Sequence, residues 1–286
     1  MPRYTPAAEA GKHSSRRRVL LALSAIALLI FAYAGAFRAV VRPWVELPDI
    51  TGGVSGQTFL LLLFSLLHAS YALGWRHTLV FFGITAVVSW GFEQVGVATG
   101  AIYGPYYYTD FLGFKLGHVP LLIPLAWFMM IYPSYVIANL IAQDRATGSP
   151  RRLMGILWLA FLSAMVMTAW DLVVDPFLSG AEVAAWVWTS GGPYFGIPVQ
   201  NFIGWMLTTF TVYVLYRLYE TRFPLAPEGG MTRLIALLPL LAYASIMISN
   251  MLSSGPDALH VIAPFVMGLP LVMALTRLMK MEQDRL

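Results

Sequence analysis

Eight runs of roughly twenty mainly apolar residues alternate with polar connections along the chain: Val19 to Val41, Val54 to Leu73, Thr78 to Ala98, Val119 to Ala142, Leu153 to Leu172, Val199 to Tyr219, Thr232 to Leu252 and Ala258 to Met279. A helix needs about 20 such residues to cross the hydrocarbon core of a bilayer. The pattern therefore predicts an all-α fold, a polytopic integral membrane helical bundle of about eight transmembrane helices. The first run follows Arg16-Arg17-Arg18 and contains Ala34-Gly35-Ala36, the outline of a cleavable signal peptide. The apolar run continues to Val41, which favours an uncleaved helix. The organisation read from this is a basic N-terminal tail over 1–18, a single transmembrane domain over 19–280 and a short tail over 281–286.

Composition agrees. Hydrophobic residues make up 58% of the chain and charged residues 11%, against about 25% charged in a soluble domain. There is no Cys, so disulfides, thiolate metal sites and thiolate nucleophiles are excluded. The net charge of +4 is explained by where the cations fall. With the N-terminus in the cytoplasm, fifteen of the eighteen Lys and Arg residues lie on the inner side, among them Arg3, Lys12, Arg76, Arg145, Arg217, Arg277 and Arg285. Arg38, Arg42 and Lys115 fall outside. This bias places both termini in the cytoplasm of a multi-pass cell-membrane protein, and it accounts for the basic balance without nucleic acid.

Two outer loops are long. One runs from Thr99 to His118 around Tyr103-Gly104-Pro105-Tyr106-Tyr107-Tyr108, the other from Val173 to Pro198 around Gly191-Gly192-Pro193-Tyr194-Phe195. Their shared Gly-Pro-Tyr core fits either a worn internal repeat or a common interfacial turn chemistry. Ala181 to Ser190, with Trp186 and Trp188, reads as a short helix lying in the water–lipid boundary.

Ionisable residues inside membrane spans are costly and mark function by default. Glu93 lies within the third run, Asp171 and Asp175 at the outer end of the fifth, Asn201 near the start of the sixth, Asn250 near the end of the seventh, and Asp257 and His260 at the start of the eighth. Asp171 and Asp175 are four apart and share a face if the helix continues that far. Pro176 follows at once and could instead end the helix. No charged residue is expected in the inner half of the spans. His68 reads as structural. The five His are too scattered for a di-iron desaturase, no HExxH zinc site occurs, and the single Asp-x-x-x-Asp pair is thin support for a diphosphate-binding prenyltransferase. No metal site is expected.

Several of these segments together resemble a known family. Trp90-Gly91-Phe92-Glu93, Gly100-Ala101-Ile102-Tyr103-Gly104-Pro105-Tyr106, Gly117-His118-Val119-Pro120, Asp171-Leu172-Val173-Val174-Asp175-Pro176, Trp186-Val187-Trp188, Tyr194-Phe195-Gly196-Ile197-Pro198 and Asn201-Phe202 with Gly204-Trp205 resemble the carotenoid 1,2-hydratases of the bacterial and archaeal carotenoid biosynthesis family. The likeness covers about 90–205. It implies addition of water across the terminal double bond of an acyclic carotenoid, lycopene-like or a C50 precursor, with no redox cofactor. Water and membrane lipid are the other partners, and other carotenoid-forming enzymes are natural neighbours.

The residues can be matched to that chemistry. Protonating a trisubstituted alkene gives a tertiary cation, which water captures. Burial favours the protonated form of a carboxyl, so Glu93, the deepest, is the candidate proton donor. Asp171 or Asp175, nearer water, would orient and deprotonate the water, although the roles could be reversed. Trp90, Tyr103, Tyr106, Trp170, Trp186 and Trp188 are candidates for cation–π support, each worth roughly 0.5–2 kcal/mol in good geometry. With His118, Tyr194 and Asn201 they form the expected substrate-binding set. Two readings compete. An end-group cyclase or isomerase would form the same cation and lose a proton. A small transporter or lipid-binding protein would use the polar cluster as a substrate path.

Overall fold

The computed structural model describes residues 7–225, 231–253 and 255–280. Arg3 and Arg285, counted in the charge bias, lie outside the described residues, and so do the tail over 281–286 and the side chain of Lys12.

The chain is an all-α membrane bundle. Helix α1 (Ala7–Ala32) passes through a π-helical turn at Tyr33–Phe37 into the short α2 (Arg38–Val41). The following helices are α3 (Val54–Ala72), α4 (Trp75–Thr99), α5 (Leu122–Gln143), α6 (Leu153–Leu178), α7 (Val199–Arg222), α8 (Arg233–Met251), α9 (Leu259–Val266) and α10 (Gly268–Lys280). Among the described residues, seven spans are long and apolar enough to cross a membrane. The eighth, α7, has the length at 24 residues but carries Asn201, Thr208, Thr209, Arg217 and Glu220, all buried. Polar groups at membrane depth are tolerated when they face protein rather than lipid, and α7 packs them against α6 and α4. Helix α5 is the central pillar. Its apolar window is 78% buried, and α3, α4, α6, α8 and α10 surround it.

Pro133, Pro176, Pro239 and Pro264 sit inside helices. Each lacks the N–H that would bond the carbonyl four residues earlier. For the first three a side chain from another segment supplies the missing donor. Ser65 Oγ donates to Met129 O at 2.8 Å, Tyr194 Oη to Leu172 O at 2.8 Å, and His68 Nε2 to Ile235 O at 3.0 Å. His68 Nδ1 then accepts from the Tyr132 hydroxyl at 2.6 Å. His68 is a structural residue, as expected. Pro176 does not end α6. The helix runs on to Leu178, so Asp171 and Asp175 do share one face.

The loops depart most from expectation. Ala181 to Ser190 is not helical. It turns at residues 181–183, and Ala184 takes a positive φ of 45°. Strand β4 (Trp186–Trp188) follows and pairs antiparallel with β1 (Tyr106–Tyr108) from the other loop. Between them in sequence, β2 (Lys115–Leu116) and β3 (Val119–Pro120) form a minimal hairpin. The two Gly-Pro-Tyr segments occupy different places. Tyr106 lies in the ribbon, whereas Tyr194 supports the α6 carbonyl freed by Pro176.

Candidate active site

The ribbon is what assembles the site. Its register sets Tyr106 opposite Trp188, Tyr107 opposite Val187 and Tyr108 opposite Trp186. Side chains alternate across a strand and directly paired residues share a face. Tyr106, Tyr108, Trp186 and Trp188 therefore project together into the bundle, and Tyr107 points away, half exposed. Backbone bonds from Thr109 N to Ala185 O (3.2 Å) and from Thr189 N to Pro105 O (3.0 Å) extend the pairing at both ends.

Four aromatic donors thus meet two acids. Tyr108 Oη donates to Glu93 Oε2 at 2.8 Å, and Tyr106 Oη donates to the same oxygen. Trp186 Nε1 donates to Asp175 Oδ1 at 2.8 Å, and Trp188 Nε1 approaches it at 3.4 Å. The two tyrosines are held as donors. Burial first, then the charge of Glu93, pushes both phenols well above the ordinary phenol range, so they keep their protons. Asn201 opens α7 and completes the cluster. Its Nδ2 donates at 2.9 Å to both Asp171 Oδ2 and Asp175 Oδ2, one amide hydrogen to each. Asp175 so receives three N–H donors. Asp171 receives one, and its Oδ1 is buried without a partner.

Local sequence explains the placement. Gly100 ends α4 in the left-handed conformation, φ 68°, a geometry that glycine adopts without Cβ strain. The chain then turns back over the helix. Tyr103 slots between α4 and α7 because Gly96 and Gly204 leave room. A Cβ on either would lie within 2.6 Å of the Tyr103 ring. Tyr103 Oη pairs with Thr208 Oγ1 at 2.8 Å. Thr208 donates its own hydrogen to Gly204 O, so Tyr103 is the donor.

A cavity of about 190 Å³ opens beside the acids. Glu93, Asp175, Asn201, Tyr103, Tyr106, Tyr108, Trp170, Trp186 and Trp188 line it, with Leu122, Ile123, Ala126 and Met129 forming an apolar side. Trp127 and Trp205 stack on one another at 4.1 Å between centroids, and Trp170 meets Trp205 edge-on at 5.8 Å. No Lys, Arg or His lines this cavity. Among the described residues no three His, Asp or Glu side chains are close enough together to share a metal ion.

Of the expected site residues, four do not line the cavity: Asp171, which reaches it only through Asn201, and His118, Trp90 and Tyr194. His118 is exposed, and only its backbone N–H bonds inward, to Gln94 Oε1. Trp90 ties α4 to the hairpin through Leu116 O at 3.2 Å. Tyr194 braces α6 at Leu172. Asp257 and His260 are exposed, and Asp110 forms a surface ion pair with Lys115 at 3.3 Å. Sequence reasoning did not place Tyr108, Trp127 or Trp205 in the binding set. The alternation in Tyr106-Tyr107-Tyr108 was the available signal for Tyr108. Trp127 had none, being one apolar residue in an apolar run. A second correction concerns the ends of the spans away from the acids, where no charge was expected. Arg217 and Glu220 are buried near the C-terminal end of α7, with relative exposures of 0% and 3%.

Comparison with known proteins gives a relative and a family. Over 130 residues the chain is 37% identical to the bisanhydrobacterioruberin hydratase of Haloarcula japonica. That match covers 45% of this chain and 41% of the relative's length. No solved structure matches. The family model for carotenoid biosynthesis proteins matches residues 56–275, a stretch from α3 into α10 that holds the three acids, the ribbon and most of the cavity lining, and the chain belongs to that family.

Proposed function

We propose that the chain is a carotenoid hydratase that adds water to the terminal double bond of an acyclic end group, with Glu93 as acid and Asp175 as base. The observation that carries this reading is the division of the ribbon's donors, two phenols to Glu93 and two indoles to Asp175, across one aromatic cavity free of cations. The hydratase activity named for the Haloarcula relative supports it.

The apolar wall and the stacked Trp127–Trp205 pair receive the hydrocarbon end group. Both phenols occupy Glu93 Oε2, which leaves Oε1 to carry the proton. That proton passes to the less substituted alkene carbon, and the π pair becomes the new C–H bond. The tertiary cation left behind faces indole and phenol rings and the Asp175 carboxylate. Aromatic faces attract cations, and a fixed negative group aimed at developing charge lowers the barrier without reorganisation. Water adds to the cation, a C–O bond forms, and Asp175 takes the released proton. One proton is consumed and one returned, so the sum is alkene plus water giving tertiary alcohol. Asp175 suits the anionic role because three N–H donors stabilise its charge. Asp171 shares Asn201 with it and acts as a positioning residue.

The basic residues gather on the connections away from the acids, which supports a cytoplasmic placement of that end and a site toward the outer leaflet. A reporter joined near Asp110 reads the orientation, and a cytoplasmic signal there would reverse it.

The decisive test is pigment mass. The chain is expressed in bacteria making lycopene and, separately, a C50 acyclic precursor. Product heavier by one water per reacted end establishes the hydratase. A new pigment of unchanged mass would replace this reading with an end-group cyclase or isomerase.

A further inference from the structure

The same cavity has a second polar wall that this mechanism leaves unused. Gln57 of α3 and Ser249 and Asn250 of α8 line it. Asn250 is only 8% exposed, and its Nδ2 is buried with no hydrogen-bond partner. A buried donor left unpaired costs about 1–3 kcal/mol, and native structures keep few such groups without a reason. The other two polar side chains of this wall, Ser249 and Gln57, both flank Gly35. A Cβ built on Gly35 would lie 2.9 Å from Ser249 Oγ and 3.4 Å from Gln57 Oε1. Gly35 is in the π-helical turn of α1, a distortion common at functional sites. The absent Cβ there is what lets α1 close over the two groups.

We infer that Gln57, Ser249 and Asn250 form an oxygen-binding station facing the acid wall, which holds a neutral hydroxyl-type oxygen by donating to it from Asn250 Nδ2. The set is neutral throughout, two amides and a hydroxyl, so it selects a neutral ligand rather than an ion. It combines donors and acceptors, as an O–H group requires. Two oxygens have this chemistry: the water that enters the reaction, and a hydroxyl already borne by the substrate's end group. A bound water needs two to four polar partners, which the three side chains offer. The inference rests on the hydratase reading for the water and on polyene binding alone for the substrate hydroxyl.

The test uses the full chain in detergent micelles with Asn250→Leu and, as a second variant, Gln57→Met. Neither removes a side-chain bond seen within the protein, so both should fold. Two ligands are titrated, lycopene and its counterpart carrying a tertiary hydroxyl at the end group. Binding of both ligands is read from quenching of the cavity tryptophans, and kcat and KM are measured for lycopene, whose end-group alkenes are intact. If the station holds a substrate hydroxyl, Asn250→Leu weakens the hydroxylated ligand about tenfold and leaves lycopene unchanged. If it holds the water, binding of both is unchanged and kcat for lycopene falls about tenfold. Binding of both ligands and kcat for lycopene within twofold of wild type for both variants would overturn the station. A wild-type protein that binds both polyenes and does not hydrate lycopene would overturn the hydratase reading instead, while the binding arm would still judge the station.

Discussion

The bundle buries two charged clusters, one at each end, and they are built on opposite plans. At the ribbon end, Glu93, Asp171 and Asp175 gather with no cation, and Glu93 and Asp175 border open space. At the other end Arg217 and Glu220 share α7 one turn apart, one charge of each sign. Arg217 Nη2 donates to Ser163 Oγ at 2.9 Å, and its guanidinium lies 4.7 Å over the Tyr135 ring. Glu220 accepts from Tyr135 Oη at 2.7 Å and from Ser149 Oγ. Tyr135 in turn accepts Gly148 N at 2.7 Å, and Asn139 Nδ2 reaches Ala146 O and Gly148 O. The result pins α5, α6 and α7 to the connection between α5 and α6. Neither Arg217 nor Glu220 lines the cavity beside the acids. Balanced charge in solid packing is how a bundle is fastened. Carboxyl groups gathered beside a void carry a burial cost that the proposed chemistry would explain.

The sharpest way to break this contrast is to neutralise one charge at each end. Glu93→Gln keeps an acceptor for Tyr106 and Tyr108, so the protein should unfold at the same temperature as wild type or above it. Hydrated product should fall by about 10²–10⁴, the usual share of a general acid. A variant that keeps full turnover would remove Glu93 from the chemistry. Arg217→Met should do the reverse. It leaves Glu220 as an uncompensated buried charge, which costs about 3–5 kcal/mol, so membrane-inserted protein should drop sharply. Adding Glu220→Met should restore most of the loss, because a buried pair replaced by apolar residues is often neutral. A double variant as unstable as the single would show that the cluster is more than a matched pair.

How far the two ends were readable in sequence follows from the range of the signals. Apolar runs of helix length are local, so the spans were legible from the residues alone. Glu93, Asp171, Asp175 and Asn201 were legible because polar groups are rare in such runs. The ribbon was not. Each strand is three residues long, and Tyr106 meets Trp188 across more than eighty positions, with no periodicity to announce the pairing. The tryptophans of 181–190 looked like an interfacial helix for the same reason. Arg217 was misread because a cation close to Arg222 at the end of a run resembles a loop charge, and only the packing of α7 against α6 shows it buried. His118 was expected in the binding set through its motif, and the structure turns its ring outward while its backbone N–H bonds Gln94.

A smaller effect sharpens the ribbon's role. Tyr106→Phe and Tyr108→Phe each remove one donor to Glu93 Oε2 and leave the ring in place. Each should lower kcat about tenfold, one hydrogen bond to a charged group, with KM little changed because the apolar contacts remain. The double variant should exceed the product of the two, since the remaining phenol compensates in each single variant. Strict multiplication would show that the phenols act independently of one another.

The smallest expected effect concerns Tyr194, the residue that joins the Gly-Pro-Tyr loop to the acid helix. Its hydroxyl serves the carbonyl of Leu172 that Pro176 cannot reach, one residue beyond Asp171. Tyr194→Phe should cost about 1 kcal/mol and lower turnover a few-fold, through loosening of α6 beneath Asp171 and Asp175. The effect has a pH signature. Burial, then Asp171 and Asp175, pushes this half-buried phenol up to about 12 from an ordinary value of 10. Below pH 10 both the folded and the unfolded phenol keep their proton, and the contribution is fully present. Above it the unfolded phenol ionises first, so the contribution is lost as pH rises to about 12. Unfolding of the wild type and of Tyr194→Phe in detergent should therefore differ by a constant amount up to pH 10 and converge toward pH 12. A gap that persists unchanged to pH 12 would show that the hydroxyl of Tyr194 is not what braces α6, and that the Phe195 and Phe202 ring contacts of Tyr194 hold the loop instead.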